Sequence, residues 1–273
     1  YTRYDSMQIE MRRRMSKGLL VQANYQFAKS FESSRVSFRA PRVNILDTNT
    51  LRHAFKVNWI YELPIGRGQK LFGNAPGWLD RVLGGFEFDG TARIQSGQLY
   101  NFGNVNLVGM TAADQQKDFK LRFNDDAKIV YILPQDIIDN TIRAFNVSAT
   151  SANGYGTLGA PTGRYIAPAN NRNCIQVYSG QCAAQNTFVT GPAFTRFDLS
   201  VVKRTKITEK VNFELRGEFL NAFNNINFFN PTGAAFTGAS SLTFGQVTTA
   251  YSDSSNTNDP GGRIIQLVAR FNF

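Results

Sequence analysis

The chain has 273 residues, with 30 Lys and Arg against 20 Asp and Glu, a net charge of +10 and a mean hydropathy of −0.28. No stretch approaches the ~20 consecutive apolar residues of a membrane-spanning helix, and no basic segment leads an apolar run, so neither such a helix nor a signal peptide is expected. The cations are spread along the chain, with Arg12-Arg13-Arg14 the one dense run, which argues against a nucleic-acid surface.

Apolar–polar alternation dominates from the start, and 23 Phe, 10 Tyr and 23 Gly suit strands joined by turns. Met7, Ile9 and Met11 alternate with Gln8, Glu10 and Arg12. Ser16-Lys17-Gly18 predicts a tight turn into a second strand, with Leu19, Val21, Ala23, Tyr25 and Phe27 on one face. A polar loop is expected over residues 30–51. A third strand follows, with Phe55, Val57, Trp59 and Tyr61 opposite Lys56, Asn58 and Glu62. Pro64, Gly66, Gly68 and Pro76 mark a connection in which residues 77–83 suit a helical turn. The fourth strand sets Phe86, Phe88, Gly90, Ala92 and Ile94 against Glu87, Asp89, Thr91, Arg93 and Gln95.

Residues 97–193 read as one long irregular region with weak strand candidates such as 128–133. Such a length is unusual inside a compact soluble domain but ordinary for the outer loops of a membrane barrel. A fifth strand places Phe197, Leu199 and Val201 on one face, and a turn at 207–210 leads to a sixth with Val211, Phe213, Leu215, Gly217 and Phe219. After a second long loop, 224–262, the last strand alternates Ile265, Leu267, Ala269, Phe271 and Phe273 with polar residues.

These seven strands are each about ten residues long, the span of a tilted strand across a bilayer. Alternation alone also fits a soluble sandwich. Three features favour the membrane. Short turns and long loops fall on opposite ends if the chain ends in the periplasm. Apolar-face aromatics gather near both strand ends, as two bilayer interfaces favour. The final residue, Phe273, is aromatic and shares the apolar face with Phe271. The expected fold is therefore all-β: an antiparallel transmembrane β-barrel, partial in this chain, in the cell outer membrane. Met7, Ile9, Met11, Val21, Phe55, Val57, Leu215 and Leu267 are expected to face lipid.

Cys174 and Cys182 lie in the polar stretch NRNCIQVYSGQC, with no His nearby for zinc. A disulfide closing a small exposed loop, and hence an oxidising compartment, is the simplest reading; two free thiols are the alternative. His53, the one histidine, has no catalytic partners in sequence and reads as a strand-end polar residue. Gly66-Arg67-Gly68 reads as a turn, since no phosphate-loop fingerprint surrounds it. Glu214, Arg216 and Glu218, like Glu87, Asp89 and Arg93, share one face of a strand. They suit a hydrated lumen wall better than acid–base chemistry, and Arg12, Arg14 and Arg270 fit the same wall. Asn224 to Pro231, NNINFFNP, is either the start of a ligand-facing loop or a turn.

The segments MQIEMRRRMSKGLLVQANYQFAKSF, HAFKVNWIYELPIGRGQ, FDLSVVKRTKITEKVNFELRGEFLNAFNNINFFNP and RIIQLVARFNF resemble, in order and spacing, the C-terminal barrel of TonB-dependent receptors. The likeness is closest to receptors of soil bacteria that carry a carboxypeptidase-regulatory-like domain. It covers the strands and not residues 97–193. It implies a transporter barrel of about 22 strands around a plug, with residues 1–273 its C-terminal part and the plug and N-terminal strands absent. It also implies partners: membrane lipid, the barrel-assembly machinery reading Phe271 and Phe273, the TonB complex through the missing N-terminal region, and an unknown solute. No nucleic acid, cofactor, metal or catalytic residue is expected, and ligand contacts are expected in loops 97–193 and 224–262. A passive pore or adhesin barrel, or a secreted β-sandwich binding protein, are the alternatives.

Overall fold

The computed structural model describes residues 1–34, 43–168, 185–209, 211–228, 243–247, 250 and 262–273. In chain order the elements begin β1 (Thr2–Ser16), β2 (Leu19–Ser34), β3 (Val43–Leu46), β4 (His53–Glu62), α1 (Gly77–Leu83) and β5 (Phe86–Gln95). An insertion holds β6 (Leu99–Val108), α2 (Ala112–Asp118), β7 (Arg122–Asn124), β8 (Ile129–Tyr131), α3 (Gln135–Phe145), β9 (Tyr165–Pro168) and β10 (Gln185–Thr190). The chain then returns through β11 (Phe194–Lys206), β12 (Asn212–Leu220) and β13 (Ile264–Asn272).

The large sheet runs β1-β2-β4-β5-β11-β12-β13, all neighbours antiparallel, with β3 added to the far end of β2. All seven long strands read from the alternation are present. The β1–β2 turn is Lys17-Gly18, both with positive φ (53° and 76°), the two-residue form whose twist matches its strands.

Register turns the alternation into two continuous faces, because residues directly opposite one another share a side of the sheet. One row joins Ile9, Tyr25, Phe55 and Ile94; the next joins Met11, Ala23, Val57, Ala92 and Phe197. A third joins Val21, Trp59, Gly90, Leu199, Phe219 and Ile265, and a fourth Tyr61, Phe88, Val201, Gly217 and Leu267. Every predicted lipid-facing residue lies on this apolar side. Trp59 lies over Gly90 so closely that a Cβ there would enter the indole ring, so the glycine is the seat of the aromatic.

Two expectations need correction. The loop expected over 30–51 begins as strand: β2 continues to Ser34 and pairs with β3, Phe31 opposite Leu46. The described residues of the stretch 97–193 are not irregular. The insertion folds around its own core of Phe102, Val105, Phe119, Ile132, Leu133, Ile137, Ile138, Ile142, Ile166 and Val189. The core is completed by Phe244 and Val247 from the next long loop. A helix forms at 135–145 because Ile137, Ile138, Thr141 and Ile142 return to one buried face at helical spacing, behind Pro134.

Candidate functional site: a charged wall beneath a folded outer domain

The second face of the large sheet is polar. One row joins Glu10, Asn24, Lys56, Arg93 and Arg196, and the next Arg12, Gln22, Asn58, Thr91 and Asp198. Below them come Asp89, Ser200, Glu218 and Gln266, then Glu62, Glu87, Val202 and Arg216. Three cations thus stand side by side toward the end with the long connections, and carboxylates gather toward the turn end.

Ion pairs knit the lower rows. Arg204 reaches Glu87 at 2.5 Å and Glu214 at 3.1 Å; Arg216 meets Glu214 at 3.0 Å and Glu218 at 3.4 Å. Glu87 is buried, so the Arg204 guanidinium supplies the charge that burial would otherwise leave unopposed. Asp198 accepts from Arg196 at 3.0 Å and from the Asn221 backbone N–H at 2.8 Å. Three atoms in this wall, Asp89 Oδ1, Ser200 Oγ and Arg216 Nε, are buried without a hydrogen-bond partner among the described residues, and Asp89 and Ser200 face each other across β5 and β11.

Above the wall, described parts of the two long connections predicted to hold ligand contacts pack together. The Ile132 N–H donates to the Gly245 carbonyl at 2.9 Å, and the Val247 N–H to the Val130 carbonyl at 2.8 Å. Arg164 ties the end of α2 to the start of α3 through Asp118 at 2.6 Å and Asp136 at 2.9 Å. Gln116 spans the edge of β10, donating to the Thr190 carbonyl at 3.2 Å and accepting its N–H at 2.7 Å. A capping box of Thr111 and Asp114 starts α2, and the Thr111 N–H and hydroxyl hold the Asp114 carboxyl below the usual carboxylate range. Tyr100 stacks on Phe119, and burial pushes its phenol up to about 12.

The predicted site residues fare differently. Cys174 and Cys182 lie outside the described residues. Phe271 packs on Phe213, ring centroids 4.9 Å apart, and Phe273 is fully exposed beyond β13. His53 is a strand-end residue: its Nδ1 lies 2.8 Å from the Tyr25 hydroxyl, and its ring sits beside Phe27. Gly66-Arg67-Gly68 forms a turn, with the Gln69 N–H donating to the Gly66 carbonyl. In NNINFFNP, Asn225 and Asn227 clamp Thr195, the Asn227 amide taking both its N–H (2.8 Å) and its carbonyl (3.1 Å). That segment is a structural latch, and Phe229, Asn230 and Pro231 lie outside the described residues. Arg12 and Arg270 stand on the polar wall, while Arg14 falls in the irregular register between Arg13 and Ser16. Arg204 was missed because the alternation after Val201 is broken by Lys203, which sits at apolar parity.

A broad antiparallel sheet with one continuous apolar face, a charged opposite face and long connections at one end defines the wall of a membrane β-barrel. The chain belongs to the outer membrane beta barrel domain family, whose model matches residues 1–266. No curated protein and no solved structure matches it. The protein is therefore one of the outer membrane; in such barrels the short turns lie on the periplasmic side and the long connections outside.

Proposed function

We propose that this barrel wall serves TonB-dependent uptake of a solute across the outer membrane, as part of a larger receptor. The observation that carries the reading is the polar wall. It is dense in ion pairs along its lower rows and sets Lys56, Arg93 and Arg196 side by side above them, as suits a hydrated lumen surface that faces another polar surface, a plug or a solute. The outer domain offers a preformed body for ligand capture, and the row Lys56, Arg93 and Arg196 lies beneath it. In this reading no residue performs chemistry, the assembly machinery reads Phe271 and Phe273, and TonB acts through a region outside residues 1–273. A soluble sandwich is disfavoured, since Met7, Ile9 and Met11 are each at least half exposed and no second sheet covers them among the described residues.

The test uses cells carrying the intact parent reading frame, with and without TonB, offered labelled glycans, peptides and metal chelates. Saturable uptake that disappears without TonB is expected. Uptake that persists unchanged without TonB would make the barrel a passive pore.

A further inference from the structure

The periplasmic connection between β4 and β5 is not a short turn. It contains α1 and exposes four large apolar side chains: Leu71 (54%), Phe72 (59%), Trp78 (68%) and Val82 (58%). Phe72 holds a positive φ of 60°, a backbone state that costs a bulky L-residue energy and marks a deliberately placed side chain. Asp80 faces back into the connection, accepting from the Arg67 N–H at 2.6 Å. Trp78 and Val82, each two positions from Asp80 at ~100° per residue, lie on the opposite side of the helix.

Two side chains show where α1 sits. Lys203 and Thr205 have lipid-facing parity, Lys203 opposite Phe86 and Leu215, Thr205 opposite Phe213. The Lys203 ammonium donates to the Gly84 carbonyl and lies 4.9 Å above the Phe86 ring. The Thr205 hydroxyl donates to the Arg81 carbonyl at 3.4 Å. The C-terminal end of α1 is thus joined to the lipid side of the barrel wall at its periplasmic rim. Its exposed apolar side chains are therefore carried beside the rim of the sheet's apolar face. The connection carries three exposed cations, Arg67, Lys70 and Arg81, and one acid, Asp80.

We propose that this connection is an interfacial anchor. Trp78, Val82, Leu71 and Phe72 insert at the headgroup boundary of the inner leaflet, and Arg67, Lys70 and Arg81 meet phospholipid phosphates. Tryptophan favours that depth, with its ring among the acyl chains and its N–H among the headgroups. Basic side chains beside an apolar helix face add attraction to anionic lipid. The anchor would fix the depth and tilt of β4 and β5, whose polar faces carry the charged wall. It rests on the membrane placement of the barrel and not on uptake.

The experiment reads Trp78 fluorescence in the intact receptor reconstituted into phosphatidylethanolamine–phosphatidylglycerol vesicles. The chain has two tryptophans, Trp59 and Trp78. The signal is isolated in W59F or, should that variant fail to fold, as the difference between the natural protein and W78F. Phospholipids brominated near the headgroup end of the chain are expected to quench Trp78 by about twofold or more, while aqueous iodide leaves it largely unquenched. Val82→Glu is expected to reverse that preference, and Asn74→Glu to leave it unchanged. Quenching by iodide alone would overturn the proposal in favour of a solvated connection. Protection from both quenchers would overturn it in favour of a protein partner or a second copy covering Trp78.

Discussion

Val57 and Asn58 are neighbours in β4 on opposite faces: Val57 sits between Ala23 and Ala92, Asn58 between Gln22 and Thr91. Arginine at Val57 should cost ~2–4 kcal/mol of folding stability in lipid, while arginine at Asn58 should be nearly silent. Urea-dependent refolding of the intact receptor into vesicles measures both, and equal tolerance would refute the facing. Gln115 presents the reverse problem. It is fully buried in α2, and neither its amide nitrogen nor its oxygen has a partner among the described residues. Gln115→Met keeps the length and removes the unmatched polar atoms, so it should stabilise the outer domain by ~1–3 kcal/mol. Limited proteolysis across a denaturant series would register that gain as a raised midpoint.

At the scale of elements, the strands were legible because a sheet with one apolar and one polar face writes itself as period-two alternation. The helix α1 was legible from its length between Pro76 and Gly84. The outer domain was not. Its short β7 and β9 are too brief to show a period, β8 showed only as the weak strand candidate 128–133, and α3 was passed over although Pro134 and the Ile137-Ile138-Ile142 spacing mark it. The deeper reason is distance along the chain: Phe244 and Val247 complete a core begun near Phe102, and no local pattern announces that contact. Of the candidate wall, Glu87, Asp89, Glu214, Arg216 and Glu218 were legible from parity, whereas Arg204 needed the register. The joined core makes a test. Phe244 is almost fully buried, so Phe244→Ala should destabilise the outer domain by ~3–5 kcal/mol. Protease sites should open in both long connections, while the membrane sheet keeps its heat-modifiable band. Alkali should act on the same body. Burial raises the folded Tyr100 phenol to about 12 from 10.0, so the stability of its neutral form is complete below pH 10 and drains away as pH climbs toward 12. Tyrosine absorbance followed against near-ultraviolet dichroism should show a late-ionising component that Tyr100→Phe removes.

For the whole molecule, the large sheet ends in β1 and β13, neither of which pairs on its outer side among the described residues. Unpaired backbone groups in hydrocarbon cost several kcal/mol each, so both seams demand partners. The 273-residue chain refolded alone should associate through those edges, and size-exclusion in detergent should return multimers; a stable monomer would argue that the two edges meet. The direction of the strands says what such a meeting would entail. Each step across the sheet reverses the chain, and six reversals separate β1 from β13, so both descend toward the periplasm. Joined directly, they would run side by side in the same sense, a parallel seam in an otherwise antiparallel wall. A seamless antiparallel circle instead requires an odd number of intervening strands, the first and last of them ascending. Cysteines placed in pairs on β13 and on its neighbour in the intact protein should therefore cross-link in an antiparallel ladder, the periplasmic end of one strand matched to the beginning of the next.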